Sequence, residues 1–248
     1  MSLIIYNTGM LVQTREGGMA FTAGKDMSVL PVIEKGWLLI EDGIIAGYGP
    51  PETMPAFSNA IQRLDAEGGY VFPSFCDPHT HLVYAGSREK EYTDKIRGLS
   101  YEEIAKRGGG ILNSAKLLHE TSEDELFRQS MERVMEIISF GTGAVEIKSG
   151  YSLSTEDELK MLRVIRRIRE ESPVTVRSTF LGAHAVPAGY RENRKGYIDL
   201  IVDEMIPAVA TERLADYIDV FCDRGFFSVE ETARILEAGA RHGMRPKI

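Results

Sequence analysis

The chain has 248 residues, with 29 Lys plus Arg against 37 Asp plus Glu, so its formal net charge is −8. This acidic balance argues against nucleic-acid binding and against a basic membrane-surface protein, because both need a surplus of positive side chains. Apolar residues make up 43% of the chain, no apolar run approaches the roughly 20 residues of a membrane helix, and the first residues lack the features of a secretory signal. With only two cysteines, the sequence predicts a cytoplasmic globular protein whose partners are neither nucleic acid nor membrane.

Residues 1–66 have the pattern of a β segment. Short apolar runs at residues 3–6 and 10–12 are followed by two longer runs, 36–41 and 44–49, on either side of Asp42-Gly43. An Asp-Gly pair between apolar runs is a strong hairpin signal. Because two or three hairpins cannot bury both faces of their own sheet, we expect this segment to pack against further structure.

Strand and helix patterns alternate in residues 67–248. Strands are predicted at residues 71–77, 144–148, 174–181 and 217–223. Three matches to the capping box predict helix starts, and two glycines predict helix ends: Ser122-x-x-Glu125, Thr155-x-x-Glu158, Ser228-x-x-Glu231, Gly141 and Gly243. The alternation predicts an α/β protein with about four of the eight parallel units of a (β/α)8 barrel. Residues 244–248 have the pattern of a fifth strand, so we expect the chain to be the front part of a longer protein.

A polar cluster, Asp77-Pro78-His79-Thr80-His81, follows the first of these strands. In an extended segment the side chains of His79 and His81 point to the same face, so two imidazoles would lie together at the carboxyl end of the strand. Two neutral imidazoles suit a divalent metal such as zinc or iron, and Asp77 shares their parity and could orient one ring. The alternative is a pair of exposed loop histidines that bind nothing.

Further candidate site residues lie near the ends of the strands. His184 follows the third strand and suits a metal ligand, a proton-transfer group or a hydrogen-bond donor to a substrate carbonyl, against a buried structural role. Arg88 is typical of carboxylate recognition and favours an acidic substrate, although a surface ion pair with a neighbouring glutamate fits its spacing equally well. Tyr151 suits a hydrogen bond to the same ligand, or core packing. The remaining histidines, His119 and His242, are interpreted as surface residues without chemistry, and Cys76 and Cys222 as buried thiols.

Four longer strings resemble the imidazolonepropionase family of metal-dependent amidohydrolases. They are residues 77–88 (DPHTHLVYAGSR), 108–111 (GGGI), 145–151 (VEIKSGY) and 179–187 (TFLGAHAVP). The His-x-His pair alone marks only the amidohydrolase superfamily, whereas the last two strings are far more specific. The resemblance implies a (β/α)8 amidohydrolase barrel over residues 67–248 and a small β-sandwich to which residues 1–66 contribute.

The resemblance also implies a reaction, the hydrolysis of the ring amide of 4-imidazolone-5-propanoate to N-formimidoyl-L-glutamate in histidine degradation. It implies zinc or iron at His79 and His81, a catalytic role for His184, and contacts to this small-molecule substrate from Arg88, Tyr101, Tyr151 and His184. The family's further metal ligands, a histidine on the fifth strand and an aspartate on the eighth, would lie beyond residue 248. The choice between zinc and iron stays open, as does the oligomeric state, including a homodimer.

Two other functions stay open on the sequence alone. A relative within the superfamily could act as a hydrolytic deaminase, and release of ammonia would distinguish it from a ring-opening hydrolase. The chain could instead be an inactive half-barrel that binds ligands or pairs with a second copy through an open sheet edge.

Overall fold

A computed structural model describes residues 2–15, 21–57, 60–86, 89–100, 103 and 111–248. The chain forms two compact units, Met1–Ser74 and Phe75–Ile248, whereas the boundary predicted from the sequence lies a few residues earlier, between residues 66 and 67. None of the helices in these ranges has both the length and the apolar character that crossing a bilayer requires.

The first unit contains two small sheets. One has the strands β1 (Ser2–Tyr6), β4 (Trp37–Glu41), β5 (Ile44–Gly49) and β6 (Gln62–Asp65), in the order β5-β4-β1-β6. The other has β2 (Met10–Val12), β3 (Val32–Glu34) and β7 (Tyr70–Val71), in the order β3-β2-β7. The side chains of Ile4, Leu11 and Trp37 are buried.

The hairpin between β4 and β5 confirms the prediction from Asp42-Gly43. The two strands are antiparallel and Glu41 pairs with Ile44, so the turn has two residues. Both turn residues have positive φ, +50° at Asp42 and +80° at Gly43, as a turn that matches the twist of the strands requires.

The second unit is built on a parallel sheet. Its strands are β8 (Phe75–Thr80), β9 (Thr142–Lys148), β10 (Thr175–Ala183), β11 (Tyr217–Val220) and β12 (Arg245–Pro246), in the order β12-β11-β10-β9-β8. Every neighbouring pair in this order is parallel. The α/β class is therefore confirmed, and the carboxyl ends of all these strands lie along one edge of the sheet.

Helices connect the strands of the second unit. They are α1 (Glu89–Ile96), α2 (Ile111–Glu120), α3 (Glu123–Ser139), α4 (Thr155–Glu171), α5 (Arg194–Leu200), α6 (Ile206–Thr211) and α7 (Val229–Arg241), with a π-helical turn at Ile201–Met205 between α5 and α6. The core lies between them and the sheet, and α4 alone buries Met161, Leu162, Val164, Ile165 and Ile168 completely. Complete burial of an apolar side chain of this size stabilises a fold by about 1.5–3 kcal/mol.

Two of the three predicted helix starts have the expected cap. The side chain of Ser122 accepts the N–H of Glu125, and Ser228 forms a complete capping box with Glu231. The third helix also begins where predicted, at Thr155, but its cap is a different residue. The cap of α4 is Ser154 rather than Thr155, because the Ser154 hydroxyl accepts the N–H of Asp157, and this leaves the carboxylate of Glu158 for other partners.

The structure also corrects the first predicted strand and the cysteines. Residues 71–77 are not one strand: β7 ends at Val71 and β8 begins at Phe75, with Pro73, which has no N–H for a ladder, between them. Cys76 is exposed rather than buried, because β8 lies at an edge of the described sheet, and Cys222 is half-buried beyond the end of β11.

Candidate functional site

The two histidines of the His-x-His motif lie at the carboxyl end of β8. His79 is within the strand and His81 directly follows it. Their ring centroids are 6.0 Å apart with the planes inclined at 63°, His79 being exposed and His81 half-buried. The sequence suggested that Asp77 orients one of the two rings. In the structure its carboxylate accepts a hydrogen bond from the backbone N–H of His79 at 3.2 Å.

The surroundings of His81 keep its imidazole neutral. The pKa of His81 is lowered from 6.5 to about 4, first by burial and then by the positive charges that His184, His79 and Lys148 can carry. Its Nδ1 atom is buried and has no hydrogen-bond partner within the described ranges. A neutral imidazole with a free nitrogen is the form of histidine that binds a metal ion.

His184 lies beside His81, just past the end of β10. The two rings are stacked, with centroids 5.2 Å apart and planes inclined at only 10°. The Nδ1 of His184 is 2.9 Å from the carbonyl oxygen of Gly150. Because a carbonyl can only accept, Nδ1 carries the proton of this hydrogen bond, and the second ring nitrogen, Nε2, remains for a ligand.

The loop after β9 brings Tyr151 to the two stacked histidines. The Tyr151 ring centroid is 4.6 Å from that of His81 and 5.4 Å from that of His184. The preceding residue must be glycine: Gly150 has φ of +106°, and a Cβ there would lie 2.8 Å from the carbonyl oxygen of Leu181.

A buried network of charges supports this edge of the sheet. Lys148 is 1% exposed, and its ammonium lies 2.8 Å from Glu146 Oε1 and 2.5 Å from Asp219 Oδ2. Glu146 also pairs with Lys247 and accepts the Thr179 hydroxyl at 2.6 Å. Burial would raise the pKa of Glu146, but the hydrogen bonds from Lys148, Lys247 and Thr179 lower it below its usual value, so the carboxylate stays charged.

The sequence interpretation did not identify this network. The available signal was the pair Glu146 and Lys148, two charges at alternate positions of an apolar strand, which places both on one face. Their partners come from β10 (Thr179), from β11 (Asp219) and from the residue that directly follows β12 (Lys247), and only the sheet order brings them together.

A cavity of about 180 Å³ adjoins the histidines. It is lined by His81, Tyr84, Ala85, Gly86, Ser114 and Tyr151. Arg133 contacts Tyr84, one of these lining residues: its guanidinium carbon is 3.6 Å from the centroid of the Tyr84 ring. The Arg133 guanidinium also donates a hydrogen bond to the carbonyl of Leu82. The cavity therefore offers space for a small molecule in contact with His81 and Tyr151.

The structure brings four of the predicted site residues together: His79, His81, Tyr151 and His184. Arg88 and Tyr101, and the glycine run 108–110, lie outside the described residues. Within the described ranges, no group of three or more His, Cys, Asp and Glu side chains converges as a metal site. The other two histidines lie at helix ends: His119 is in the last turn of α2, and His242 is the residue that caps the end of α7.

Comparison with known proteins shows a match over the whole chain. It is 52% identical over 248 residues to the imidazolonepropionase of Christiangramia forsetii, covering 100% of this chain and 60% of that protein. The imidazolonepropionase of Brevibacillus brevis is 42% identical, with 98% of this chain and 58% of that protein covered. This chain is similar to imidazolonepropionases from end to end. The resemblance found in the sequence motifs is thereby confirmed, and the chain spans about 60% of the length of the imidazolonepropionases it matches.

Solved structures show the same fold at low sequence identity. The 5-methylcytosine deaminase of Klebsiella pneumoniae superposes with a TM-score of 0.61 at 17% identity, over 99% of this chain and 50% of that one. A triazine hydrolase variant superposes with a TM-score of 0.65 at 12% identity, over 99% of this chain and 52% of that one. At this level of identity the likeness concerns the fold alone, and it supports the mixed α/β fold. No family model matches the chain.

Proposed function

We propose that this protein is an imidazolonepropionase, which hydrolyses the ring amide of 4-imidazolone-5-propanoate to N-formimidoyl-L-glutamate. The observation that carries the proposal is the stacking of His81 on His184, beside Tyr151, in a chain that matches imidazolonepropionases over its whole length. We further propose that residues 67–248 belong to a (β/α)8 barrel, that residues 1–66 belong to a β-sandwich, and that the protein is cytoplasmic, where the free thiols of Cys76 and Cys222 stay reduced.

His79 and His81 would hold a divalent metal, zinc or iron. The fit rests on the buried, unpartnered Nδ1 of His81 and on the lowered pKa that keeps this ring neutral. The resemblance implies that two further ligands come from outside residues 1–248. When bound, such an ion supplies Lewis acidity and lowers the pKa of a coordinated water toward neutrality.

The other site residues would bind the substrate and stabilise charge. Hydrolysis adds the oxygen of water to the ring carbonyl carbon, breaks the carbon–nitrogen bond, and transfers a proton to the departing ring nitrogen, so no ammonia is released. His184 donates its Nδ1 proton to the Gly150 carbonyl, and a proton carried on Nε2 would be donated to the oxygen that gains charge. Tyr151 and Tyr101 would contact the substrate, and Arg88 would bind its propanoate carboxylate, which a guanidinium recognises through two hydrogen bonds.

The proposal is tested by assaying ring opening with freshly prepared 4-imidazolone-5-propanoate. The protein is expressed as this chain and as the full reading frame that contains it, loaded with Zn²⁺ or Fe²⁺. The expected product, N-formimidoyl-L-glutamate, is followed by proton NMR, and ammonia is assayed in parallel. We expect ring opening without ammonia and loss of activity with a chelator. Release of ammonia, or no reaction by the product of the full reading frame, would contradict the proposal.

A pair of histidine variants sharpens this assay. His184→Ala should lower kcat by about 100- to 1,000-fold, since it removes a donor that stabilises the developing negative charge. His119→Ala is the matched control, because its side chain is 66% exposed and bonds to Asp157 rather than to His81, His184 or the loop at residues 150–153. Its activity should stay close to that of the unchanged protein.

A further inference from the structure

Glu158 is a buried carboxylate that the proposed reaction does not use. It lies in the first turn of α4 and is 1% exposed. Its oxygens accept hydrogen bonds from three backbone N–H groups of the loop after β9: Gly150 at 3.0 and 3.2 Å, Ser152 at 3.3 Å and Leu153 at 3.3 Å. The Ser152 hydroxyl donates a further bond at 2.8 Å. One carboxylate therefore holds the whole turn of the loop.

The loop needs this support because its backbone is strained. Gly150 has φ of +106°, and Leu153, a residue with a Cβ, has φ of +62°. A non-glycine residue in the left-handed region costs free energy, which the surrounding structure must offset. A carboxylate that receives N–H groups from the loop offsets it, and the positive end of the α4 dipole stabilises the same negative charge.

A second buried group, the hydroxyl of Tyr197, interacts electrostatically with Glu158. Burial raises the pKa of the Tyr197 hydroxyl, and the negative charge of Glu158 raises it further. Tyr197 is 0% exposed and donates to the carbonyl of Gly182 at 2.7 Å, two residues before His184. The carboxylate of Glu158 therefore lies close enough to act electrostatically on the group that hydrogen-bonds the end of β10, while its own hydrogen bonds go to the loop after β9.

We propose that Glu158 is a positioning residue: it fixes the loop so that the Gly150 carbonyl orients His184 and the Tyr151 ring lies against His81. The Gly150 N–H is bound by Glu158, while the Gly150 carbonyl accepts the Nδ1 proton of His184 at 2.9 Å. The peptide group before Gly150 is therefore bound to Glu158, and the peptide group after Gly150 is bound to His184. The local part of this inference stands on the contacts alone, and its effect on turnover rests on the proposed function.

Glu158→Gln is the variant that tests this inference, and Asp157→Asn is its matched control. The Glu158→Gln change keeps the size of the side chain but replaces one acceptor oxygen by a donor that faces the loop N–H groups. Asp157 is the adjacent residue, is 4% exposed, and bonds to His119, Lys160 and Ser154 rather than to residues 150–153. Both changes remove one buried carboxylate from the same helix turn.

The first measurement is the tautomer of His184 in the metal-free chain, from ¹⁵N–¹H NMR at alkaline pH, where imidazoles are neutral. The unchanged chain and Asp157→Asn should hold the proton on Nδ1, and Glu158→Gln should shift it toward Nε2. The second measurement is turnover: kcat of Glu158→Gln should fall by about 10- to 100-fold with a smaller change in KM, since displacement by about 1 Å costs that much.

The possible outcomes distinguish failure of the positioning role of Glu158 from failure of the proposed ring-opening function. A folded Glu158→Gln protein with the His184 proton still on Nδ1 would overturn the positioning role, whether or not the protein turns over substrate. A tautomer shift in a protein that never opens the ring would support the positioning role and count against the proposed function. If Glu158→Gln does not fold, Ser152→Ala removes one of the four donors without leaving a buried charge unpaired, and a partial shift is then expected. An unchanged tautomer in Ser152→Ala would overturn the inference.

Discussion

Replacing His81 by alanine should weaken Zn²⁺ binding by about 100-fold or more. Even loss of a residue that only orients a ligand costs about 10- to 100-fold in metal affinity, and His81 offers a neutral imidazole with a buried free nitrogen. Affinity is measured by isothermal titration calorimetry on this chain and on the product of the full reading frame. His79→Ala should give a loss of the same order, because the two rings lie at one strand end.

The control for this prediction is His242→Ala. His242 is the exposed residue that ends α7, so its removal should leave Zn²⁺ affinity unchanged. Zn²⁺ binding as tight in His81→Ala as in the unchanged protein would exclude the His-x-His pair as a metal site.

Replacing Lys148 by methionine should lower the free energy of unfolding by about 3–5 kcal/mol. The ammonium of Lys148 pairs with Glu146 and Asp219 while almost fully buried, so its removal leaves carboxylates in the interior without their partner. Removing one member of a buried ion pair costs this much because the remaining charge is desolvated and uncompensated. Urea unfolding followed by circular dichroism measures the change.

Lys195→Met is the matched control for Lys148. Lys195 pairs with Asp199 at 2.7 Å, but its side chain is 83% exposed, so water screens the pair and replaces its hydrogen bonds. The urea midpoint of Lys195→Met should stay close to that of the unchanged protein. Equal midpoints for the two variants would show that the buried network contributes nothing specific to stability.

Features that depend on neighbouring residues were predictable from the sequence. The Asp42-Gly43 hairpin follows from the positive φ that its turn requires, and the parallel sheet follows from alternating strand and helix patterns. The His-x-His pair was found because residues two apart in a strand share a face. Its surroundings were not predictable, since the stacking on His184 depends on β8 and β10 both adjoining β9.

Glu158 shows where the sequence pattern was misleading. Thr155-x-x-Glu158 satisfies the capping-box spacing, but Ser154 is also a cap residue and gives the helix one more residue at its start. A shift of one residue turns Glu158 from a capping partner into the anchor of the loop before the helix. Local spacing could not decide between the two caps, because the deciding partners are the backbone N–H groups of Gly150, Ser152 and Leu153 in the loop before the helix.

The burial of β8 depends on which strands lie beside it in the sheet. The apolar run before the histidines predicted a buried strand with a buried thiol, yet Phe75 is 67% exposed and Cys76 is exposed. Within the described residues β8 has β9 as its only neighbour in the sheet, so its second edge is open. Burial of a strand is a property of its position in the sheet, which composition alone does not give.

We propose that the imidazoles of His79 and His81 bind one cation at the carboxyl edge of the parallel sheet. The most direct measurement is the scalar coupling between ¹¹³Cd and ¹⁵N-labelled histidine in this protein, which has five histidines in all. We predict resolved couplings to the ring nitrogens of His79 and His81, and none to His119 or His242. Cadmium coupled to His119 or His242, or bound with no coupling to the His-x-His pair, would contradict this metal site.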